Sequence, residues 1–262
     1  NLSSSFTMSA QVILADKDYV RQLNSIFKKA GLEIDGIVPI ALAERNLVLD
    51  SNELHDNIAI IDVGAENTDI GVFEGTTYMY TNSIPVGGEN ITNDIALVLN
   101  IEKEEADKLK RQYGLALKSF IDNDNDIILN TCKDNNKNKI IKSSELIEII
   151  EARIEDMFLI INKDLTNQGI KSRINNVVLT GQGIVNISKS DVAGKINLNI
   201  PVKISTGRLI GATKPTYRTA YALVRYIASR PFTKTVSSSI DTQSNENIFK
   251  NILERIKEFF YS

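Results

Sequence analysis

Two aspartates bracket a short glycine turn in "IAIIDVGAENTDIGVF", the run from Ile58 to Phe73. Asp62 and Asp69 could hold Mg2+ through water, and Thr68 could donate its hydroxyl to a phosphate. Gly64 would let the backbone turn tightly and aim amides at an anion. Glu66 opposes that chemistry, because a carboxylate facing phosphates repels them unless a cation lies between. An ordinary hairpin with acidic turn residues accounts for the same run. Two later junctions repeat the theme: Gly87 and Gly88 in "IPVGGENIT" precede a helix, and Gly181 and Gly183 in "VVLTGQG" follow a strand. Amides at such junctions suit an anion or the close passage of a ligand. Between them, Glu105 and Lys108 in "EEADKLK" stand three positions apart on one helix face. They could meet a ribose together, or simply pair in solvent.

The elements that must position these residues follow from periodicity. "IAIIDV", "DIGVF" and "TYMYTNSIPV" predict three consecutive strands, with a Glu74-Gly75 turn joining the last two. Two helices follow, "GGENITNDIALVL" and "EKEEADKLKRQYG", the second closed by Gly114. The polar stretch to Ser144 contains two β-like runs, which predicts a small hairpin subdomain inserted between helices. Ser144 is placed to cap the long helix "ELIEIIEARIEDMFLIINKDL". "INNVVLTGQG" and "PVKIS" predict two more strands, and "YRTAYALVRYIAS" a helix. Upstream, "QVILAD" and "IDGIVPI" read as strands around the helices "DYVRQLNSIFKKAG" and "ALAERNLVL". That opening looks like the closing half of an α/β domain, as in a piece of a longer chain. Strands alternating with helices make the fold class α/β, with both sheet faces covered.

The 262 residues suffice for one large domain or two modest ones. A net charge of -3 with 24% charged residues argues against a protein built around nucleic acid. A single cysteine, Cys132, rules out an internal disulfide, and the lone histidine, His55, lies in the polar run "SNELHD" and reads as a solvated loop residue. The final segment differs from the Ser/Thr/Asn-rich tether before it. In "NIFKNILERIKEFFYS", Phe249, Ile252, Leu253, Ile256, Phe259 and Phe260 recur at helical spacing, with Lys250, Arg255 and Lys257 outside the stripe. Such a helix could lie in a headgroup plane, its phenylalanines buried and its cations near anionic lipid; docking on protein is the alternative.

In their order, "VRQLNSIFKKAGLEIDGIVPIALA", "AIIDVGAENTDIGVFEG", "IPVGGENITNDIA", "EKEEADKLKRQYG" and "VVLTGQG" resemble FtsA, the actin-like bacterial division family related to the Hsp70 and hexokinase ATPases. The resemblance implies a partial actin-like (ribonuclease H-like) ATPase fold with an inserted 2B subdomain. It assigns 1–39 to the end of a 1C-like subdomain and 40–56 to a helix returning to 1A. Domain 2A takes 57–101 and 172–230, domain 2B takes 102–171, a linker 231–246, and an amphipathic membrane-targeting helix 247–262.

By the same resemblance Asp62, Gly64, Thr68 and Asp69 form the phosphate-2 loop, Glu105 and Lys108 the ribose pair, and Gly181 and Gly183 the adenosine loop. ATP and Mg2+ are implied for the full-length parent, with slow hydrolysis. The sequence departs from the family's DxGGGTTD pattern at Ala65, Glu66 and Asn67, and carries Gln182 within the usual glycine turn. It also does not include the family's phosphate-1 loop, so this chain alone is expected to bind no cofactor and to lack robust ATPase activity. The implied function is a peripheral protein on the cytoplasmic side of the cell membrane. It would polymerise, contact other division proteins, bind anionic lipid through the last helix and tether FtsZ filaments through 2B. An ATPase enzyme is the competing class, and a scaffold of another envelope process, such as sporulation or pilus assembly, the further alternative.

Overall fold

Ile58–Val63 (β1) is buried along its whole length, so an apolar neighbour must cover each side of it. In the computed structural model, which describes residues 12–129, 139–206 and 217–229, those neighbours are helices on both faces of a five-stranded sheet. β1 pairs antiparallel with Thr68–Glu74 (β2), which pairs antiparallel with Thr77–Ile84 (β3). On its other edge β1 runs parallel to Asn176–Thr180 (β6), itself parallel to Val202–Ile204 (β7). The order β3-β2-β1-β6-β7 is the mixed sheet that the strand pattern predicts. Gly75, at φ 56°, makes the expected β2–β3 turn in a conformation that a side chain would oppose.

One face of the sheet is covered by Gly88–Leu99 (α3), Ser143–Asn167 (α5) and Ser190–Leu198 (α6). Here Ala59, Ile61 and Val63 meet Ile91, Ile95, Ile154 and Phe158 in one apolar cluster. Burying each such isoleucine side chain contributes about 1.5–3 kcal/mol. Lys103–Tyr113 (α4) joins this layer, as does the ribbon Asp126–Leu129 (β4) with Lys139–Lys142 (β5). The opposite face carries Ile40–Val48 (α2) against Ile58, Ile60 and Phe73. Arg218–Ala228 (α7) packs there too, through Ala222 on Ala43 and Leu47. Gly71 admits α2 to the sheet, since a Cβ at that position would lie 2.2 Å from that of Ala41.

Three expectations need correction. Neither "QVILAD" nor "IDGIVPI" forms a strand among its described residues; Val12, Leu14 and Ile37 are exposed, and no described strand lies beside them. A strand is completed by a partner for its amides, and alternation alone does not supply one. The helix between them, Lys17–Lys29 (α1), forms and reaches Gly31 in the left-handed region, yet buries none of its residues. Third, Ser144 does not cap α5 through its own position. The carboxylate of Asp124, from the preceding loop, accepts from the Ser144 amide (2.9 Å) and from the hydroxyls of Ser143 and Ser144. The chain divides into Asn1–Ile227 and Ala228–Ser262; of the second unit only residues 228 and 229 are described. Cys132, the linker 231–246 and the amphipathic residues Phe249, Ile252, Leu253, Ile256, Phe259 and Phe260 lie outside the described residues.

Candidate functional site

The glycine turns that looked like phosphate loops meet one another. The β1–β2 loop, the β3–α3 junction and the turn after β6 converge at the C-terminal end of β1. The Gly64 amide donates to Asn67 (2.8 Å), the Gly88 amide to the Gly64 carbonyl (2.9 Å) and the Glu89 amide to Ala65 (2.8 Å). The Gly183 amide donates to Val63 at 2.9 Å. The first amides of α3, those best aimed at an anion, are therefore bound to backbone carbonyls. Asn90 completes the junction by accepting from the Gly87 amide at 2.9 Å. Glycine is required for closeness: a Cβ at Gly87 would sit 2.4 Å from the Ala65 carbonyl, and one at Gly183 would sit 2.2 Å from that of Gly64. Gly181 needs it twice over, with φ at 99° and the Val63 carbonyl 2.1 Å from where a Cβ would be. Thr68, expected to donate to a phosphate, is fully buried and donates instead to the Val86 carbonyl at 2.7 Å.

A cleft of about 360 Å3 opens beside this junction, floored by Ala65, Gly88 and Gly183 and walled by α4. Glu105 and Lys108 are not in its lining; they pair with each other at 3.5 Å. Asp107, Lys110 and Arg111 occupy the cleft wall. Glu105 lies about 200° round the helix from Asp107, on nearly the opposite face, while Lys108, one turn from the lining residues Glu104 and Arg111, is 74% exposed to solvent. The signal for the true wall was the i, i+3, i+4 triplet "DKLKR", whose middle member is nearly buried. Lys110 donates to the Gly88 carbonyl (3.0 Å) and the Thr92 hydroxyl (2.6 Å), and pairs with Asp107 at 3.1 Å. Partial burial works to raise the Asp107 carboxyl, but its bonds and charge contacts with Lys110 and Arg111 prevail and hold it below the usual range.

Asp62 takes part in neither arrangement. Its Oδ1 accepts from Arg218 Nη2 at 2.7 Å. The same guanidinium donates through Nε to Glu44 Oε1 (3.0 Å) and through Nη1 to Thr180 Oγ1 (2.7 Å). Four elements contribute: α2 brings Glu44, β1 Asp62, β6 Thr180 and α7 Arg218. Each of the four residues is at most 8% exposed. Burial, reinforced by the charge of Asp62, pushes Glu44 up to about 7 against the opposing pull of Arg218. Burial alone would lower Arg218; its two carboxylate neighbours outweigh that and hold it above its ordinary value. Sequence reasoning missed Glu44 and Arg218, which carry no motif and become neighbours only through folding.

Mg2+ does not fit at Asp62 and Asp69 as they are arranged. Asp62 already has a cationic partner. Burial raises Asp69, partly offset by its hydrogen bond with Ser83, and Asp62 adds to the rise, which disfavours the charged form a hard cation needs. Among the described residues there is no cluster of three or more His, Cys, Asp or Glu able to hold a metal. The phosphate side of an ATP site fares no better: the Thr68 hydroxyl and the first α3 amides are spent, and Glu66 is exposed in the loop. His55 is exposed in a turn, as the polar run around it predicts.

The family model for "Cell division protein FtsA" matches residues 59–222, which span this sheet and all three glycine junctions. The chain belongs to the FtsA family. It is 31% identical over 215 residues to FtsA of Bacillus subtilis, covering 82% of this chain and 48% of that protein. With FtsA of Pseudomonas aeruginosa it shares 25% identity, covering 91% of this chain and 58% of the relative. It thus spans about half the length of these curated relatives. Among solved structures it is similar to MreB5 of Spiroplasma citri bound to ADP, with a TM-score of 0.64 at 19% identity, covering 81% of this chain and 67% of that one. A type IV pilus PilM–PilN complex matches with a TM-score of 0.55 at 16% identity over 81% of this chain and 58% of the other. The fold of this FtsA-family chain is therefore the actin-like α/β fold.

Proposed function

We propose that this chain is the C-terminal part of an actin-like division scaffold that polymerises and tethers FtsZ filaments to the inner face of the cytoplasmic membrane. The FtsA family match over 59–222 carries this reading. The inserted segment 102–171 would be domain 2B and the FtsZ-facing surface, with 57–101 and 172–230 as domain 2A, 1–39 as the end of 1C and 40–56 as the helix back to 1A. The linker 231–246 would let the helix 247–262 reach anionic lipid while the folded body faces FtsZ. Among the described residues no helix is long and apolar enough to cross a membrane. ATP belongs, in this reading, to the full-length parent, whose adenosine would enter the cleft beside Gly88 and Gly183.

Vesicle cosedimentation with and without purified FtsZ tests the proposal. The chain should pellet with anionic vesicles, and FtsZ should pellet in its presence but not with lipid alone. Replacing Phe259 and Phe260 with Glu should abolish lipid binding while circular dichroism of the folded body is unchanged, because two apolar anchors become charges beside the acyl chains. Equal lipid binding by that variant would overturn the anchor. Lipid binding without recruitment of FtsZ would place the scaffold in another envelope process.

A further inference from the structure

We propose that Arg218 is a resident cation standing in for a divalent metal ion at Asp62, which makes this end of β1 metal-independent. The inference does not depend on FtsZ tethering. Each donor position of the guanidinium has a separate partner: Nε on Glu44, Nη1 on Thr180 and Nη2 on Asp62. Two carboxylates and a hydroxyl converging on one point are the oxygen donors that a hard cation would recruit. Here that point is filled by a planar cation that does not lose its proton.

Neither side of the arrangement has room to change. Glu44 is fully buried, and the Asp62 and Arg218 side chains are 11% and 9% exposed, so displacing the arginine would strand two carboxylates away from water. Asp62 is held from behind as well: its Oδ1 lies 2.4 Å from where a Cβ on Gly181 would project. The carboxylate is thus wedged between the backbone of the β6 turn and the guanidinium. A hydrated Mg2+, which gives up its waters reluctantly, would have to displace the guanidinium from Glu44 Oε1 and Asp62 Oδ1, and the other Glu44 oxygen, Oε2, is buried away from solvent.

Mn2+ titration of the whole chain, followed by calorimetry and by the electron paramagnetic resonance of free Mn2+, tests the proposal. The unaltered chain and its Asp62→Asn variant should bind Mn2+ equally weakly, and Mg2+ should leave the melting temperature of the unaltered chain unchanged. Arg218→Met should expose the two carboxylates and gain one Mn2+ site at least about tenfold tighter than any in the unaltered chain. Mg2+ should then raise its melting temperature, and adding Asp62→Asn should remove both gains. Binding of Mn2+ by the unaltered chain that Asp62→Asn abolishes would overturn the proposal, and needs no arginine variant to fold. A folded Arg218→Met variant without a new site would overturn it equally.

Discussion

At the end of β1 the chain makes two dense junctions by opposite means. On the loop side, three turns are held by amides meeting carbonyls, with glycine wherever a Cβ would collide. Toward α2 and α7, three side chains from α2, β1 and β6 are held by the one guanidinium of Arg218. The first junction is backbone chemistry and tolerates no added atom. The second is side-chain chemistry in a buried setting and depends on the one cation at its centre. The residues expected to serve one nucleotide site are divided between them: Gly64, Gly87, Gly88, Gly181 and Gly183 build the first, and Asp62 is absorbed by the second.

The largest effect should come from adding one methyl group to the loop side. Gly181→Ala forces a side chain into a left-handed conformation and against the Val63 carbonyl, at a cost of about 4 kcal/mol. Thermal or urea unfolding should show a variant barely folded at room temperature. Near-native stability would mean that the turn after β6 shifts freely.

On the ionic side, Arg218→Met should cost about 3 kcal/mol by stranding Asp62 and Glu44. If stranded charge is the cause, adding Asp62→Asn and Glu44→Gln to that variant should recover much of the loss. Failure of the triple variant to recover would show that the guanidinium matters for packing rather than charge.

The same cluster should give the protein a distinctive pH response. Glu44 titrates near 7 when folded, against an ordinary value of 4.5. Between those values the folded state holds a proton that the unfolded chain has released, so stability from this group falls as pH rises through that window. It is fully present below about pH 4.5 and lost above about pH 7, by at most about 3 kcal/mol. Urea midpoints measured across this range should slope downward for the unaltered chain relative to Glu44→Gln. Parallel curves would remove Glu44 from the explanation.

The smallest expected change is in the cleft wall. Lys110→Met should cost about 1 kcal/mol, the loss of its bonds to the Gly88 carbonyl and Thr92, whereas Lys108→Met should be close to neutral. Matched unfolding curves for the two variants would erase the distinction between the two faces of α4.

The readings that held were those in which the deciding physics is local. Alternation and an unbroken apolar run marked β1 to β3, a glycine able to turn tightly joined β2 to β3, and a continuous stripe marked α5. The crowding of glycines at strand ends was also visible, although what approached them proved to be other loops of the same chain. From β1 onward the sequence by itself therefore determined the strand and helix order, and with it the α/β class and the family, because periodicity and turn chemistry act over a few residues. Only the tertiary structure decided which face of α4 lines the cleft, whether 11–16 and 34–40 find strand partners, and what Asp62 binds. Those outcomes depend on which distant group arrives at a given point. Glu44 and Arg218 are far apart along the chain, and the low-dielectric contact that joins them exists only after the sheet, α2 and α7 have packed.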